Sequence, residues 1–194
     1  MNLLWERQTI DNALKDYARR LNATPEDKFS ATPPSGGWSY AEVYAHILKT
    51  SIGITGAIDQ CNRKELPPSK KGLSPIGIFM LGFERFPPFK VKQPEEIGEQ
   101  FSVGKISRHE AAALLKTLQK ELDHIAADLA SAEPQYRFSH PRMGMLNAQQ
   151  WYKFIRIHTL HHLKQLDGIE RELMIRSLPK SKGQAKRSTT TKQL

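Results

Sequence analysis

Four stretches of this chain space their apolar residues three and four apart, and no stretch alternates them two by two. The first pattern lines one face of an α-helix, and the second would line one face of a strand. Ile10, Leu14, Tyr17 and Leu21 form one stripe in a segment from about Leu4 to Leu21, which stops before Thr24-Pro25. A second segment starts at Ser39, where Ser39 and Glu42 have the spacing of a capping box, and Val43, Ile47, Ile54 and Ile58 mark its buried side. A third starts at Ser107, with Glu110 completing the same spacing. Leu115, Leu118, Leu122, Ile125 and Leu129 give it a heptad stripe. The fourth opens at Asn147 with Gln150 three residues on, and runs through Trp151, Phe154, Ile155, Ile157 and Leu160 to about Met174.

Four amphipathic helices bury their stripes most economically against one another, so the expected fold is all-α, a four-helix bundle. The chain has 194 residues, enough for one domain with a substantial core. Residues 63–106 make a long crossover between the second and third helices and hold six of the 12 prolines. Within it Pro75–Phe86 is apolar enough to pack as a short helix, and the crossover reads equally as a lid or as a return to the far end of the bundle. Residues 131–146 read as a second irregular stretch.

No run approaches the about 18 apolar residues that a membrane span needs. The charged start Met-Asn-Leu-Leu-Trp-Glu-Arg does not read as a signal peptide. Cys61 is the single cysteine, so no internal disulfide and no four-cysteine zinc site is available, and a cytoplasmic location is expected. The formal net charge is +9, but residues 179–194 carry Lys180, Lys182, Lys186, Arg187 and Lys192 and no acid, so five of the nine charges sit there. Residues 1–178 are therefore expected to form the bundle and residues 179–194 a disordered basic tail. Nucleic acid binding is not expected beyond weak contacts of that tail. Homodimerisation is left open.

The chemistry lies on the fourth helix, in Arg156-Ile157-His158-Thr159-Leu160-His161-His162-Leu163-Lys164-Gln165. Residues four apart on a helix lie about 5–6 Å from each other on one face, so His158 and His162 can share one metal ion. Trp151, Ile155, His158, His162, Gln165 and Ile169 follow the seam spacing, which puts two histidines and a glutamine where leucines are expected. A buried polar group without a partner costs about 1–3 kcal/mol, and a metal satisfies both imidazoles at once. A pair of core histidines bonded to other side chains or water is the plainer alternative. His46, three residues after Val43 on the second helix, points into or beside the core and supplies a third ligand from a facing helix. His161 lies about 100° around the helix from His162 and reads as a flank residue or as a side chain supporting the ligands from behind, more than as a ligand itself.

Trp38-Ser39-Tyr40-Ala41-Glu42-Val43-Tyr44-Ala45-His46-Ile47 resembles the second-helix signature of the DinB-like (DinB/YfiT) superfamily, and His158-x-x-His161-His162-x-x-Gln165 resembles its fourth-helix signature. His140-Pro-x-x-Gly144, before the Asn147 helix start, is similar to one largely uncharacterised branch. The resemblance spans about residues 1–175. It implies a four-helix bundle with a divalent metal on His46, His158 and His162. Assigned members of that family include thiol-dependent S-transferases and isomerases, among them bacillithiol transferases and mycothiol-dependent maleylpyruvate isomerase, and others are called metal-dependent hydrolases.

Three neutral imidazoles leave a coordination position open. The first expectation is a metal-dependent thiol S-transferase or isomerase, whose partners are a low-molecular-weight thiol and an electrophile. The rivals are a metal-dependent hydrolase and a non-catalytic metal-binding module. Hydrolysis needs a general base, and Thr159 stands where a metalloprotease helix has glutamate, which leaves His140 and His161 as catalytic candidates. A fourth protein ligand would favour the non-catalytic module, with His140 as its candidate. Imidazole suits zinc, nickel, copper and iron alike, so the metal is not specified.

Overall fold

The computed structural model describes residues 1–88 and 104–174. Helix α1 is Leu3–Ala23, α2 is Glu26–Phe29, α3 is Tyr40–Asn62, α4 is Pro75–Phe83, α5 is Arg108–Leu129 and α6 is Ala148–Glu172, with strands β1 (Arg137–His140) and β2 (Gly144–Asn147) ahead of α6. The expected basic tail and part of the long crossover lie outside the described residues. No helix among the described residues is long and apolar enough to cross a membrane.

Each long helix begins where a side chain answers its first free N–H groups. Asn2 accepts from Trp5 N, and Ser39 with Glu42 and Asn147 with Gln150 form complete capping boxes. At Ser107 only half of the expected box forms. The Ser107 side chain accepts from Glu110 N, while the Glu110 carboxylate turns to Lys49 of α3 at 3.3 Å. An ion pair between helices has taken the place of the local bond.

The four long helices stand in a square. Helix α3 packs against α5 and α6, and α1 packs against the same two, so α1 and α3 occupy opposite corners. Their contact across the centre is aromatic and polar. Tyr17 and Tyr44 meet edge to face at 5.4 Å, Tyr44 Oη donates to Tyr17 O at 2.7 Å, and Tyr17 Oη donates to Thr159 O of α6 at 3.0 Å. Buried hydroxyls with partners at both ends define one register between helices. The stripes read from the sequence are the core: Ile10, Leu14, Ile47, Leu118, Leu122 and Ile155 are all buried.

Two elements depart from the expectation. Helix α2 is a single turn that buries Phe29 under Tyr40 and Tyr44. Residues 131–146 are not irregular throughout, because β1 and β2 pair antiparallel from Arg137↔Asn147 to His140↔Gly144. Four-residue strands are too short for alternation to stand out, and their ladder is completed from elsewhere. The stretch before α4 joins it: Ser74 N donates to Met143 O at 2.8 Å, and Met145 N donates to Gly72 O at 3.0 Å.

That third segment explains Gly144. Its φ is +84°, and a Cβ there would lie 2.6 Å from Gly72 O and 2.7 Å from Ser74 N. Only glycine allows both the backbone angle and the approach. Gly144→Ala should cost about 1–3 kcal/mol from backbone strain alone, and more as the crossover is pushed off the hairpin. Urea denaturation measures it, and a loss below about 0.5 kcal/mol would mean the turn has room to relax.

Helix α4 realises the short helix expected within Pro75–Phe86. Its end is clipped to α6: Glu84 pairs with Lys153 and with Arg156, each at 3.0 Å. Burial raises the Glu84 carboxyl, but the Lys153 bond and the Arg156 charge outweigh it and leave the group below its ordinary value. The clip places Phe86 over the middle of α6.

Candidate metal centre

His46 leaves α3 toward α6, and His158 and His162 leave α6 one turn apart, so the three rings converge. His158 Nε2 lies 3.1 Å from His46 Nε2 and 3.0 Å from His162 Nε2. Among the described residues these three offer ligand atoms that all lie within 4.8 Å of one another. A tetrahedral ion at 2.0–2.1 Å from each nitrogen would space them about 3.3 Å apart, close to the observed separations.

Hydrogen bonding alone does not satisfy this arrangement. His162 Nδ1 stands 2.7 Å from Gln165 Oε1, and since that oxygen only accepts, His162 donates from Nδ1 and its Nε2 carries a bare lone pair. His158 Nε2 has at most one proton, which cannot fill both of its gaps. His46 Nδ1 and His158 Nδ1, both buried, have no hydrogen-bond partner among the described residues. An ion at the common point of the three Nε2 atoms removes the mismatch, so the residues fit a metal.

The electrostatics favour the neutral ligand form. Burial pushes His46 down to about 4, with the His161 charge adding to it. Burial and the facing His46 push His162 down to about 3 against the opposing Gln165 bond. His158, the most deeply buried, is held well below the ordinary histidine range by burial and by its two partners. At neutral pH all three rings are uncharged and need lose no proton to bind an ion.

Aromatic walls hold the rings in place. Trp38 stacks over His162 at 6.2 Å and leans on His46 at 5.0 Å, and Phe154 stacks on His158 at 5.3 Å. Gln165 is the orienting residue, because it sets the tautomer of His162. Gln165→Leu should weaken metal affinity by about 10–100-fold while leaving the helix intact. Competition with a chromophoric chelator reads this, and an unchanged affinity would remove Gln165 from the site.

His161 and His140 stand outside the triad. His161 is exposed and stacks on Phe86 at 4.2 Å. His140 packs against Trp151 and Phe154, each at 5.3 Å, and its Nδ1 accepts from Arg142 N and Met143 N at 3.1 Å. The His140 ring thus spends one nitrogen on its own loop. Sequence reasoning missed Phe86 and Phe154 as walls, since aromatic residues near a helix seam read as ordinary core.

A cavity of about 440 Å³ opens beside His46, with Trp151, Phe154 and His140 in its wall.

Residues 9–166 match the family model described as the DinB superfamily. Among solved structures, TT2238, described as a four-helix bundle protein, superimposes with a TM-score of 0.56 at 20% identity, covering 86% of this chain and 99% of its own. A mutant of the mycothiol-dependent maleylpyruvate isomerase superimposes with a TM-score of 0.50 at 14% identity, and the match covers 84% of this chain and 60% of that one. No curated protein matches the chain.

Proposed function

Because the chain belongs to the DinB superfamily, we propose that His46, His158 and His162 hold one divalent metal ion in a thiol-dependent S-transferase or isomerase. The observation that carries this reading is the convergence of three neutral Nε2 atoms beside an apolar cavity. A divalent ion held there supplies Lewis-acid chemistry, lowering the pKa of a thiol that joins it.

The chain's own groups do the rest. Gln165 fixes the donor face of His162, and Trp38 and Phe154 hold the rings and keep water from their flanks. Cys61 is buried, which pushes its thiol up to about 11, so it is a poor nucleophile and the reacting thiol comes from outside the chain. Thiol dependence is carried over from the isomerase of similar fold as part of this reading. A cytoplasmic setting, where such thiols are kept reduced, belongs to it too.

Hydrolysis is the weaker alternative on one specific ground. His140, a candidate base, has its Nδ1 lone pair engaged by two backbone N–H groups.

Titrating cobalt-loaded protein with glutathione, bacillithiol, mycothiol and coenzyme A tests the proposal. At least one thiol should produce a sulfur-to-cobalt charge-transfer band that is lost in His158→Ala. No band with any of the four, together with ester or amide turnover that disappears in His158→Ala, would overturn it in favour of hydrolysis.

A further inference from the structure

The cavity beside His46 lies within the about 300–1,000 Å³ range of small-molecule sites. Its walls are apolar and largely aromatic, from Ile54, Phe138, Trp151 and Phe154. The polar side chains in its lining are His46, Lys49, Thr50, Ser139 and His140. The Lys49 ammonium is paired with Glu110 at 3.3 Å. His46 turns its Nε2 to the other two histidines, and its Nδ1, without a partner among the described residues, is buried away from the cavity space.

His140 is different. With Nδ1 accepting from Arg142 N and Met143 N, the neutral ring carries its proton on Nε2. That N–H has no partner among the described residues, and with the Nδ1 edge turned into the loop, the Nε2 edge is left for the cavity. A fixed donor in an apolar pocket selects an acceptor. Among the residues lining the cavity the one full positive charge is on Lys49, already paired with Glu110, so a carboxylate that does not reach the metal would lose its hydration for little return. A neutral carbonyl oxygen needs no counter-charge.

We propose that His140 anchors a small aromatic substrate in this cavity through a hydrogen bond from its Nε2–H to one neutral carbonyl oxygen. The assignment names the electrophile for the thiol-dependent reading and rests on that reading for its role, but the binding itself requires neither thiol nor turnover.

The test titrates the full-length chain, as purified and with no thiol added, with acetophenone, ethylbenzene and benzoate, following binding by ligand-observed and histidine-ring NMR. Acetophenone should bind about fivefold or more tighter than ethylbenzene, the span expected of one hydrogen bond. His140→Asn keeps an oxygen where Nδ1 accepts from the loop and deletes the Nε2–H, so the preference should fall to within about twofold. Gly53 lines the cavity, and a Cβ there meets nothing within 4 Å, so Gly53→Leu can fill the space without disturbing the fold and should abolish binding of both ligands. Equal binding of acetophenone and ethylbenzene, or a preference that survives His140→Asn, overturns the proposal. So does benzoate binding more tightly than acetophenone, or a carbonyl preference that vanishes when chelation removes metal. A missing charge-transfer band in the thiol titrations would leave these binding results unchanged, so the two readings fail separately.

Discussion

His158→Ala is expected to reduce bound metal from near one equivalent per chain to a small fraction of it, with His46→Ala and His162→Ala close behind. His158 Nε2 is the middle atom of the three, at 3.1 Å from one partner and 3.0 Å from the other. Its loss leaves two nitrogens on different helices. Residues that merely orient a ligand are worth about 10–100-fold in affinity, so a ligand itself should be worth more than that. The fold should survive. The His158 Nδ1 has no partner among the described residues, and a buried polar atom of that kind costs about 1–3 kcal/mol, which offsets the packing lost on truncation, so the metal-free variant should lose little stability. Elemental analysis of protein purified without a polyhistidine tag, beside a thermal melt, separates lost metal from lost fold. Full metal content in all three variants would refute the triad.

Arg156→Ala should be the most destabilising single substitution away from the triad, by about 3–5 kcal/mol, the usual cost of stripping one partner from a buried ion pair. Arg156 Nε lies 2.5 Å from Glu6 Oε2, and each side chain is only 4% exposed. The same guanidinium reaches Glu84 at 3.0 Å and lies over the Trp5 ring at 4.6 Å. Truncation therefore strands the Glu6 carboxylate between α1 and α6 and removes half of the clip that holds the end of α4. Paired replacement, Glu6→Leu with Arg156→Met, should recover most of the loss, because the cost lies in the unpaired charge rather than in the missing pair. Urea titrations of the two variants decide it. A single-variant loss under about 1 kcal/mol, or no recovery in the double variant, would show that water reaches the pair.

The helices and the triad were legible for one reason: each rests on spacing along a single element. Ser39 with Glu42, and Asn147 with Gln150, announce helix starts because both partners lie within one turn. His158 and His162, one turn apart, announce two imidazoles on one helix face in the same way. What stayed hidden depends on partners far away in the chain. Glu6 and Arg156 are 150 residues apart, so no spacing along one helix pairs them. The hairpin owes its order to residues 72–74, some 70 positions earlier, and Gly144 shows its purpose only beside them. The tautomer of His140 is set by two backbone N–H groups of its own turn, which no side-chain pattern encodes.

All three histidines of the centre sit on one adjacent pair of helices, α3 and α6, while α1 and α5 supply no member of the triad. This division of labour has an evolutionary corollary. The outward faces of α1 and α5 can drift, acquire partners or be resurfaced by an engineer without altering a ligand, whereas a shift of α3 along α6 by a single turn, about 5.4 Å, would dismantle the centre. Diversification within such a lineage should therefore concentrate on the side of the bundle formed by α1 and α5.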